Sequence, residues 1–203
     1  MHKLPFNDPR MESIANSMDL TDLKKTTNLF SDVVEDIVAQ QLSGRVAEVI
    51  FKRFCELFPN ALPTPELLAA KTIDKLRSVG LSTAKANYVR NIADYALTKG
   101  LSVERFDSLC DEEIVSELTT IKGVGVWTAQ MVLIFSLTRS DVFPVDDLAI
   151  RQGMTLIYGI NLEGKPLKNK LVEIAERWKP YRTVGTRYVW AWVNSQKSNA
   201  VRF

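Results

Sequence analysis

The residues with the most informative chemistry lie in two short stretches, and the first is Ile121–Ala129. It contains two glycines one residue apart, Gly123 and Gly125, followed by an apolar run to about Leu137. Glycine allows a tight turn and a close approach of the backbone to a ligand, and the amides at a helix start attract anions. With the acidic segment 111–113 before it, this pattern predicts a helix-hairpin-helix that binds a nucleic-acid phosphate, although a Gly-x-Gly pair alone is also a common turn.

The second stretch contains two adjacent carboxylates, Asp146 and Asp147, where a loop is predicted to meet a helix. A carboxylate beside a helix N-terminus is favoured in its ionised form, in which it can stabilise a developing sugar cation and orient water. Aspartate is also a very common helix N-cap, and both roles are compatible if one residue caps while the other faces a cleft. A motif that binds a phosphate, followed along the chain by a carboxylate, indicates chemistry on DNA.

Aromatic and amide side chains form a further set of candidates. Trp127 follows the hairpin directly, and with Trp190 it offers a flat aromatic wall for a base, although tryptophans in helices usually belong to the core. The segment 40–44, Gln-Gln-Leu-Ser-Gly, interrupts an apolar helix. It is either an exposed helix end or a loop that presents amides and an apolar tip to a disrupted base pair.

The charge of the 203-residue chain is unevenly distributed, although its net value is only +2. From Lys165 to Phe203 there are nine Lys or Arg and two Glu, a net charge of +7. Residues 1–164 hold 17 basic and 22 acidic residues, a net charge of −5. The basic C-terminal quarter either lies along phosphates or forms an ordinary solvated surface.

Cysteine and histidine are too few for several classes of site. Cys55 and Cys110 both have apolar neighbours in the sequence, so we expect buried thiols in a reducing compartment. With His2 as the only histidine, a zinc site or an iron–sulfur cluster is excluded. We expect neither a signal peptide nor a membrane span, because the N-terminus lacks an apolar core and no window approaches about eighteen apolar residues.

The elements that must position these residues are all predicted to be helices. No run alternates between apolar and polar residues with period two, so the predicted fold class is all-α without a substantial sheet. The helix starts and ends follow from capping residues, prolines and glycines. The predicted helices cover about 9–18, a long segment from an N-cap at Ser31 to Phe54 with a break near Ser43–Gly44, starts at Thr64 and Thr72, Ser82 to Gly100, 111–137, 147–158, 167–178, and the segment after Pro180.

Together these segments resemble the helix-hairpin-helix DNA glycosylases, specifically the 3-methyladenine DNA glycosylase II (alkylbase glycosylase) branch. The similarity spans about Ser31 to Asn194, and its most specific pieces are Ile37–Ser43, Ile121–Ala129, Asp141–Leu148 and Ala175–Arg182. The resemblance implies a compact form without the N-terminal sheet domain of the best-known bacterial members. It also implies two helical lobes with a catalytic cleft between them. A central lobe of about 31–145 would end in the helix-hairpin-helix at about 111–137, and about 1–30 and 146–203 would form the second lobe.

The same resemblance assigns roles to individual residues. Asp147 matches the catalytic aspartate, and Asp146 is its neighbour and a possible second carboxylate. Gln41 or Leu42 matches the wedge that fills the gap left by a flipped nucleotide. The base pocket is assigned to Trp127, Trp190, Gln40 and Met131, and DNA binding to Lys122, Gly123, Val124, Gly125, Gln41, Leu42 and Lys85. No cofactor and no metal is required, although a monovalent cation could bind at the hairpin residues Ile121 and Gly123.

The implied activity is monofunctional, because Trp127 occupies the position at which bifunctional relatives have a lysine nucleophile. We expect excision of alkylated bases such as 3-methyladenine and 7-methylguanine from duplex DNA, by base flipping and hydrolysis, in base excision repair. Met131 replaces an aromatic residue found in some members, which leaves the substrate range open. The expected partner is double-stranded DNA, bound by a monomer in a nucleoid or a nucleus. Alternatives are a non-catalytic DNA-binding module or a glycosylase for an oxidised or deaminated base.

Overall fold

A computed structural model describes residues 4–42 and 44–200, with side chains described to Gln196. Within these residues every regular element is a helix, so the all-α prediction is confirmed. None of these helices is long and apolar enough to cross a bilayer. The α-helices are α1 (Pro9–Ala15), α2 (Leu29–Ala39), α3 (Gly44–Cys55), α4 (Pro65–Ala69), α5 (Ile73–Arg77), α6 (Thr83–Lys99), α7 (Val103–Asp107), α8 (Asp111–Leu118), α9 (Val126–Met131), α10 (Leu148–Tyr158), α11 (Gly164–Ala175) and α12 (Arg182–Ala200).

The chain forms two compact units. The central unit is Lys24–Leu137, and the terminal unit combines the chain up to Leu23 with the chain from Thr138 onwards. Short 3-10 turns at Pro59–Ala61 and Glu176–Trp178 join neighbouring helices, and α9 continues into a π-helical turn at Val132–Ser136.

The central unit is built around α2, which packs against α6 and α9. The apolar face of α2 is buried from its first turn, since Leu29 and Phe30 lie in the core. The helix therefore begins earlier than predicted, and the N-cap is Asn28, whose side chain accepts a hydrogen bond from the Ser31 amide at 3.1 Å. The prediction of Ser31 as the cap was wrong because it stopped short of these two core residues.

Local capping explains the short helices of the central unit. Thr64, Thr72 and Ser82 each accept a hydrogen bond from the amide three residues later, at 3.2–3.3 Å, as predicted. Ser102 caps α7 in the same way. We did not predict α7.

Helix α8, the first helix of the helix-hairpin-helix, is held by a polar cluster. The Glu117 carboxylate accepts hydrogen bonds from the Tyr95 hydroxyl on α6 and from the Arg105 guanidinium on α7. Burial and the Glu117 carboxylate raise the pKa of Tyr95 to about 12. Cys110, directly before α8, is exposed and Cys55 is half-buried, so the prediction of two buried thiols was wrong. Cys110 is the N-cap of α8, and at this position, at the start of the helix, its side chain reaches solvent.

The terminal unit packs around Trp178, which is fully buried against the rings of Phe6 and Phe143 at centroid distances of 5.8 and 5.9 Å. The buried carboxylate of Asp8 accepts hydrogen bonds from the Trp178 indole at 3.1 Å and from the Tyr158 hydroxyl at 2.5 Å. These contacts join the N-terminal segment to the C-terminal helices.

Helices α10 and α12 approach each other closely at Gly153. A Cβ atom there would lie 2.6 Å from a methyl group of Val193, so only glycine fits. This contact matters for the site, because α10 begins directly after Asp147 and α12 carries Trp190.

Asp36 on α2 should make the stability of the chain depend on pH. Burial, followed by repulsion from Asp32 and Glu35, raises the pKa of Asp36 from 3.8 to about 7. The folded chain binds the proton more tightly, so stability falls as pH rises from about 4 to about 7. Asp36→Asn should increase the free energy of unfolding at pH 8 by on the order of 2 kcal/mol, with little gain at pH 4.

Urea unfolding at the two pH values measures this difference. Asp94→Asn, an exposed change on α6, is the matched control and should gain nothing at either pH. An equal gain from Asp36→Asn at both pH values would show that removing the charge is not the cause.

Candidate functional site

The hairpin between α8 and α9 uses its two glycines for different reasons. Gly123 has φ +111°, and a Cβ atom there would lie 2.3 Å from Cγ of Tyr88, so the fold itself requires glycine. Gly125 caps α9 with an ordinary φ of −96°, and nothing lies within 4 Å of its Cβ position. The fold therefore leaves open space at Gly125, where an external group can approach the backbone closely.

The carbonyl groups of the hairpin are hydrogen-bonded within the central unit. The carbonyl of Ile121 accepts from the Val124 amide at 2.9 Å, and that of Lys122 accepts from Nδ2 of Asn91 at 2.9 Å. The carbonyl of Gly123 accepts from Nε2 of Gln40 at 3.3 Å. The side chains of Ile121 and Val124 are buried, whereas Lys122 is exposed. The monovalent-cation site predicted at Ile121 and Gly123 stays a prediction, with one lone pair of each oxygen already in use.

The helix break predicted near Ser43–Gly44 is present, as a loop that begins at Gln40. Gln40 leaves the helical conformation, and exposed Gln41 has φ +59°, which is unusual for a residue other than glycine. Leu42 is half-buried, and α3 begins at Gly44. Position 43 lies outside the described residues. Gln41 and Leu42 remain the two candidates for the wedge.

Gln40 and Lys85, predicted to contact a base and DNA respectively, both have protein partners. Nε2 of Gln40 donates to the Gly123 carbonyl and, at 3.2 Å, to Oγ1 of Thr128. Nζ of Lys85 donates to the carbonyls of Val38 at 2.8 Å and Gln40 at 2.5 Å, where α2 ends. Burial lowers the pKa of Lys85. These contacts give both residues a structural role that the sequence did not reveal, and their contacts with DNA stay predictions.

Trp127 and Met131 lie on α9, the second helix of the helix-hairpin-helix. Trp127 is 40% exposed, whereas Met131 is buried. Trp127 is the second residue of α9 and follows Gly125 by two positions. Their assignment to the base pocket stays a prediction.

In the terminal unit, one oxygen of Asp147 has two roles. Oδ1 accepts from the Ile150 amide at 2.9 Å, which caps α10, and from Nε1 of Trp190 at 3.1 Å. Both donors are neutral groups, and the side chain lies at the helix N-terminus, where negative charge is favoured. The two predicted roles of an aspartate here, cap and functional carboxylate, are therefore compatible in one residue.

Asp146 has different surroundings. Its exposed carboxylate forms ion pairs with Lys168 and, at 3.7 Å, with Arg151, which also donates to the Asp146 carbonyl at 2.9 Å. Two cations therefore contact Asp146, and a backbone amide and an indole orient Asp147. This fixed orientation favours Asp147 as the carboxylate with a chemical role.

Four of the nine basic side chains in the C-terminal quarter form ion pairs with nearby carboxylates. Lysine and arginine side chains there form ion pairs with carboxylates, of which two have the spacing i, i+3. The pairs are Lys168–Asp146, Lys170–Glu173, Lys179–Glu176 and Arg182–Asp141. Of the two alternatives, an ordinary charged surface fits these residues better than a tract reserved for phosphates.

Comparison with known proteins identifies the family. Residues 34–180 match the HhH-GPD superfamily of base excision DNA repair proteins. The chain belongs to this superfamily. It is 36% identical to DNA-3-methyladenine glycosylase 1 of Schizosaccharomyces pombe over 164 residues, 79% of this chain and 71% of the relative. It is 30% identical to DNA-3-methyladenine glycosylase of Saccharomyces cerevisiae over 199 residues, 90% of this chain and 66% of the relative.

Solved structures of the superfamily share the helical fold. The Schizosaccharomyces pombe 3-methyladenine DNA glycosylase in complex with abasic DNA is 29% identical, with a TM-score of 0.78 and coverage of 90% of both chains. The DNA-3-methyladenine glycosidase of Bacillus halodurans is 32% identical, with a TM-score of 0.81 and coverage of 94% of this chain and 87% of the other. The family that the sequence resembles is therefore confirmed.

The two hairpin glycines should respond differently to alanine. Gly123→Ala introduces both an unfavourable backbone conformation and a clash with Tyr88, so we expect a loss of on the order of 2 kcal/mol or more. Gly125→Ala meets neither obstacle and should change stability by less than about 0.5 kcal/mol. Thermal unfolding followed by circular dichroism compares the two variants. Equal destabilisation would show that the space at Gly125 is needed by the fold.

Proposed function

We propose that this chain is a monofunctional DNA glycosylase that excises alkylated bases, of the 3-methyladenine and 7-methylguanine type, from duplex DNA in base excision repair. The observation that carries the proposal is the carboxylate of Asp147, oriented by the Ile150 amide and the Trp190 indole at the start of α10. Membership of a base excision repair superfamily supports it, as do relatives named as 3-methyladenine glycosylases.

The reaction requires that the target nucleotide leave the base stack, because its glycosidic bond is inaccessible inside the duplex. Alkylation at N3 or N7 of a purine gives the base a positive charge and makes it a good leaving group, so the enzyme need not supply a strong acid. Asp147 stabilises the cationic sugar that develops and orients the attacking water. Since Asp147 is already held by two donors, little reorganisation is needed during the reaction.

Aromatic faces suit the cationic base. Trp127 and Trp190 are assigned to stacking, in which a positively charged ring is attracted to an electron-rich one. Because the Trp190 indole also donates to Asp147, this residue has two functions, as a wall for the base and as a support for the carboxylate. Gln40 and Met131 stay further candidates for contact with the base.

The hairpin is assigned to binding of the DNA backbone. Its carbonyls are turned to protein donors, and the open space at Gly125 lets a phosphate approach the backbone amides of Gly123 and Gly125. The Val124 amide lies between them and donates to the Ile121 carbonyl. Exposed Lys122 adds a charge contact, Lys85 a further basic group, and Gln41 or Leu42 the wedge. Phosphate contacts carry no sequence information, so binding should be largely independent of sequence and weakened by salt. We propose that the protein acts as a monomer in a nucleoid or a nucleus.

Catalysis by Asp147 is tested with an isosteric change. Asp147→Asn keeps an oxygen that can accept from Ile150 and Trp190, so the cap remains, but the negative charge is lost. Base release from methylated duplex, measured by chromatography in single turnover, should fall at least about 100-fold. Binding to duplex, measured by fluorescence anisotropy, should be unchanged.

Neighbouring variants serve as controls for this experiment. Asp146→Asn should lose less than about tenfold in base release, since only the pairing of surface cations changes. Gly125→Ala should weaken binding to damaged and undamaged duplex alike. An inactive Asp146→Asn beside an active Asp147→Asn would transfer the catalytic role to Asp146.

The product should be an intact strand with an abasic site. Trp127 stands where a bifunctional enzyme has its lysine, so no Schiff base forms between this position and the sugar. Borohydride added during turnover should trap no covalent protein–DNA adduct, as judged by denaturing gel electrophoresis. A trapped adduct would contradict the monofunctional assignment, and its loss in Lys122→Gln would identify the amine.

A further inference from the structure

The loop formed by Gln40, Gln41 and Leu42 follows the end of α2. It lies at a helix break, with Gln41 in a left-handed conformation. Beside it is a cleft of about 230 Å³, lined by the loop, by Val38, Ile50 and Leu81, and by Gly80, Ser82 and Lys85. A loop that borders a cleft has few apolar contacts to fix its position, so polar contacts must do so.

Two side chains supply those contacts within the central unit. Lys85 holds the backbone at the end of α2 through the carbonyls of Val38 and Gln40. The Gln40 amide reaches in the other direction, to the hairpin. Its Nε2 has two N–H donors, and both are used, one on the Gly123 carbonyl and one on Oγ1 of Thr128.

The Gln40 bridge connects two segments that are 83 and 88 positions apart in the sequence. One is the loop that carries the wedge candidates, and the other is the hairpin proposed to bind the phosphate backbone. Thr128 is buried, and the Tyr88 ring lies close against Gly123, so the hairpin end of the bridge is closely packed. The position of the loop is therefore set by the hairpin through Gln40, together with Lys85.

We propose that Gln40 is a positioning residue that couples the wedge loop to the hairpin, so that backbone binding and insertion into the duplex occur in register. This inference rests on the proposed function, and it gives Gln40 a role separate from contact with the base. A wedge displaced by about 1 Å would still allow the hairpin to bind phosphate but would impair base flipping, since misplacement on this scale can cost about 100-fold.

The first test is independent of catalysis. In Gln40→Ala, hydrogen exchange of the amides in the loop and in the hairpin segment 121–128 should speed up together in the free protein, by at least about tenfold. Gln40→Glu keeps the size of the side chain but turns a carboxylate oxygen towards the Gly123 carbonyl, so it should have the same effect. Gln152→Ala, an exposed change on α10, should exchange as the wild type does. Wild-type exchange in both Gln40 variants would overturn the proposal.

The second test measures what the coupling does. Gln40→Ala should bind undamaged duplex within about twofold of the wild type, yet release 3-methyladenine and 7-methylguanine about tenfold or more slowly, with their ratio unchanged. A changed ratio would mean that Gln40 reads the base, and wild-type rates would mean that the bridge is dispensable; either outcome overturns the proposal. If the wild type itself releases no base, the proposed function fails, while hydrogen exchange still decides whether the bridge couples the segments.

Thr128→Val removes the other partner of the bridge at nearly constant volume. If the bridge acts as a unit, the double variant with Gln40→Ala should be no slower than the slower single variant. If the fold reductions in rate of the two single variants multiply in the double variant, the two residues act independently. Thermal unfolding of each variant confirms that it is folded before rates are compared.

Discussion

The backbone of the hairpin must satisfy its carbonyl groups mainly with side-chain donors if the amides of Gly123 and Gly125 are to remain available to a ligand. Three consecutive carbonyls, of Ile121, Lys122 and Gly123, accept hydrogen bonds from Val124, Asn91 and Gln40. The neighbouring structure follows from this requirement. Helix α6 supplies Asn91 and the Tyr88 ring against Gly123, and the helix break after Ala39 supplies Gln40. The hairpin is therefore organised before DNA arrives, which reduces the entropy that binding must overcome.

Two identical side chains in sequence, Asp146 and Asp147, acquire different properties from their partners. A cap position turns Asp147 towards the amide of Ile150, and the close packing of α10 on α12 at Gly153 brings the Trp190 indole to the same oxygen. Asp146 projects to the surface and meets two cations. The chemical distinction thus originates in helix geometry, and it needs no unusual residue type.

Features that depend on neighbours in sequence were predictable, and features that depend on distant contacts were not. The caps at Thr64, Thr72 and Ser82 follow from local hydrogen bonding, as does the end of α10 at Gly159, which is left-handed. The hydrogen bond from Trp190 to Asp147 spans 43 positions and the Gln40 bridge at least 83, so no local pattern encodes them. The same limit explains two wrong predictions. The start of α2 was placed at Ser31, because the burial of Leu29 and Phe30 could not be foreseen. The thiol of Cys110 was expected to be buried, because its exposure depends on tertiary structure. The resemblance supplied the roles of the site residues. The structure adds that Gln40 and Lys85 form hydrogen bonds with other parts of the protein.

Charge has a consistent arrangement in the terminal unit. Lys168 and Arg151 both interact with Asp146, so their positive charge is held at the exposed carboxylate of the pair. The Ile150 amide and the Trp190 indole orient Asp147. A carboxylate with a fixed orientation needs little reorganisation when positive charge develops on a sugar. Four of the nine basic side chains in the C-terminal quarter are paired with carboxylates, two of them with Asp141 and Asp146 outside it, so the positive field of this quarter is weaker than its net charge of +7 suggests.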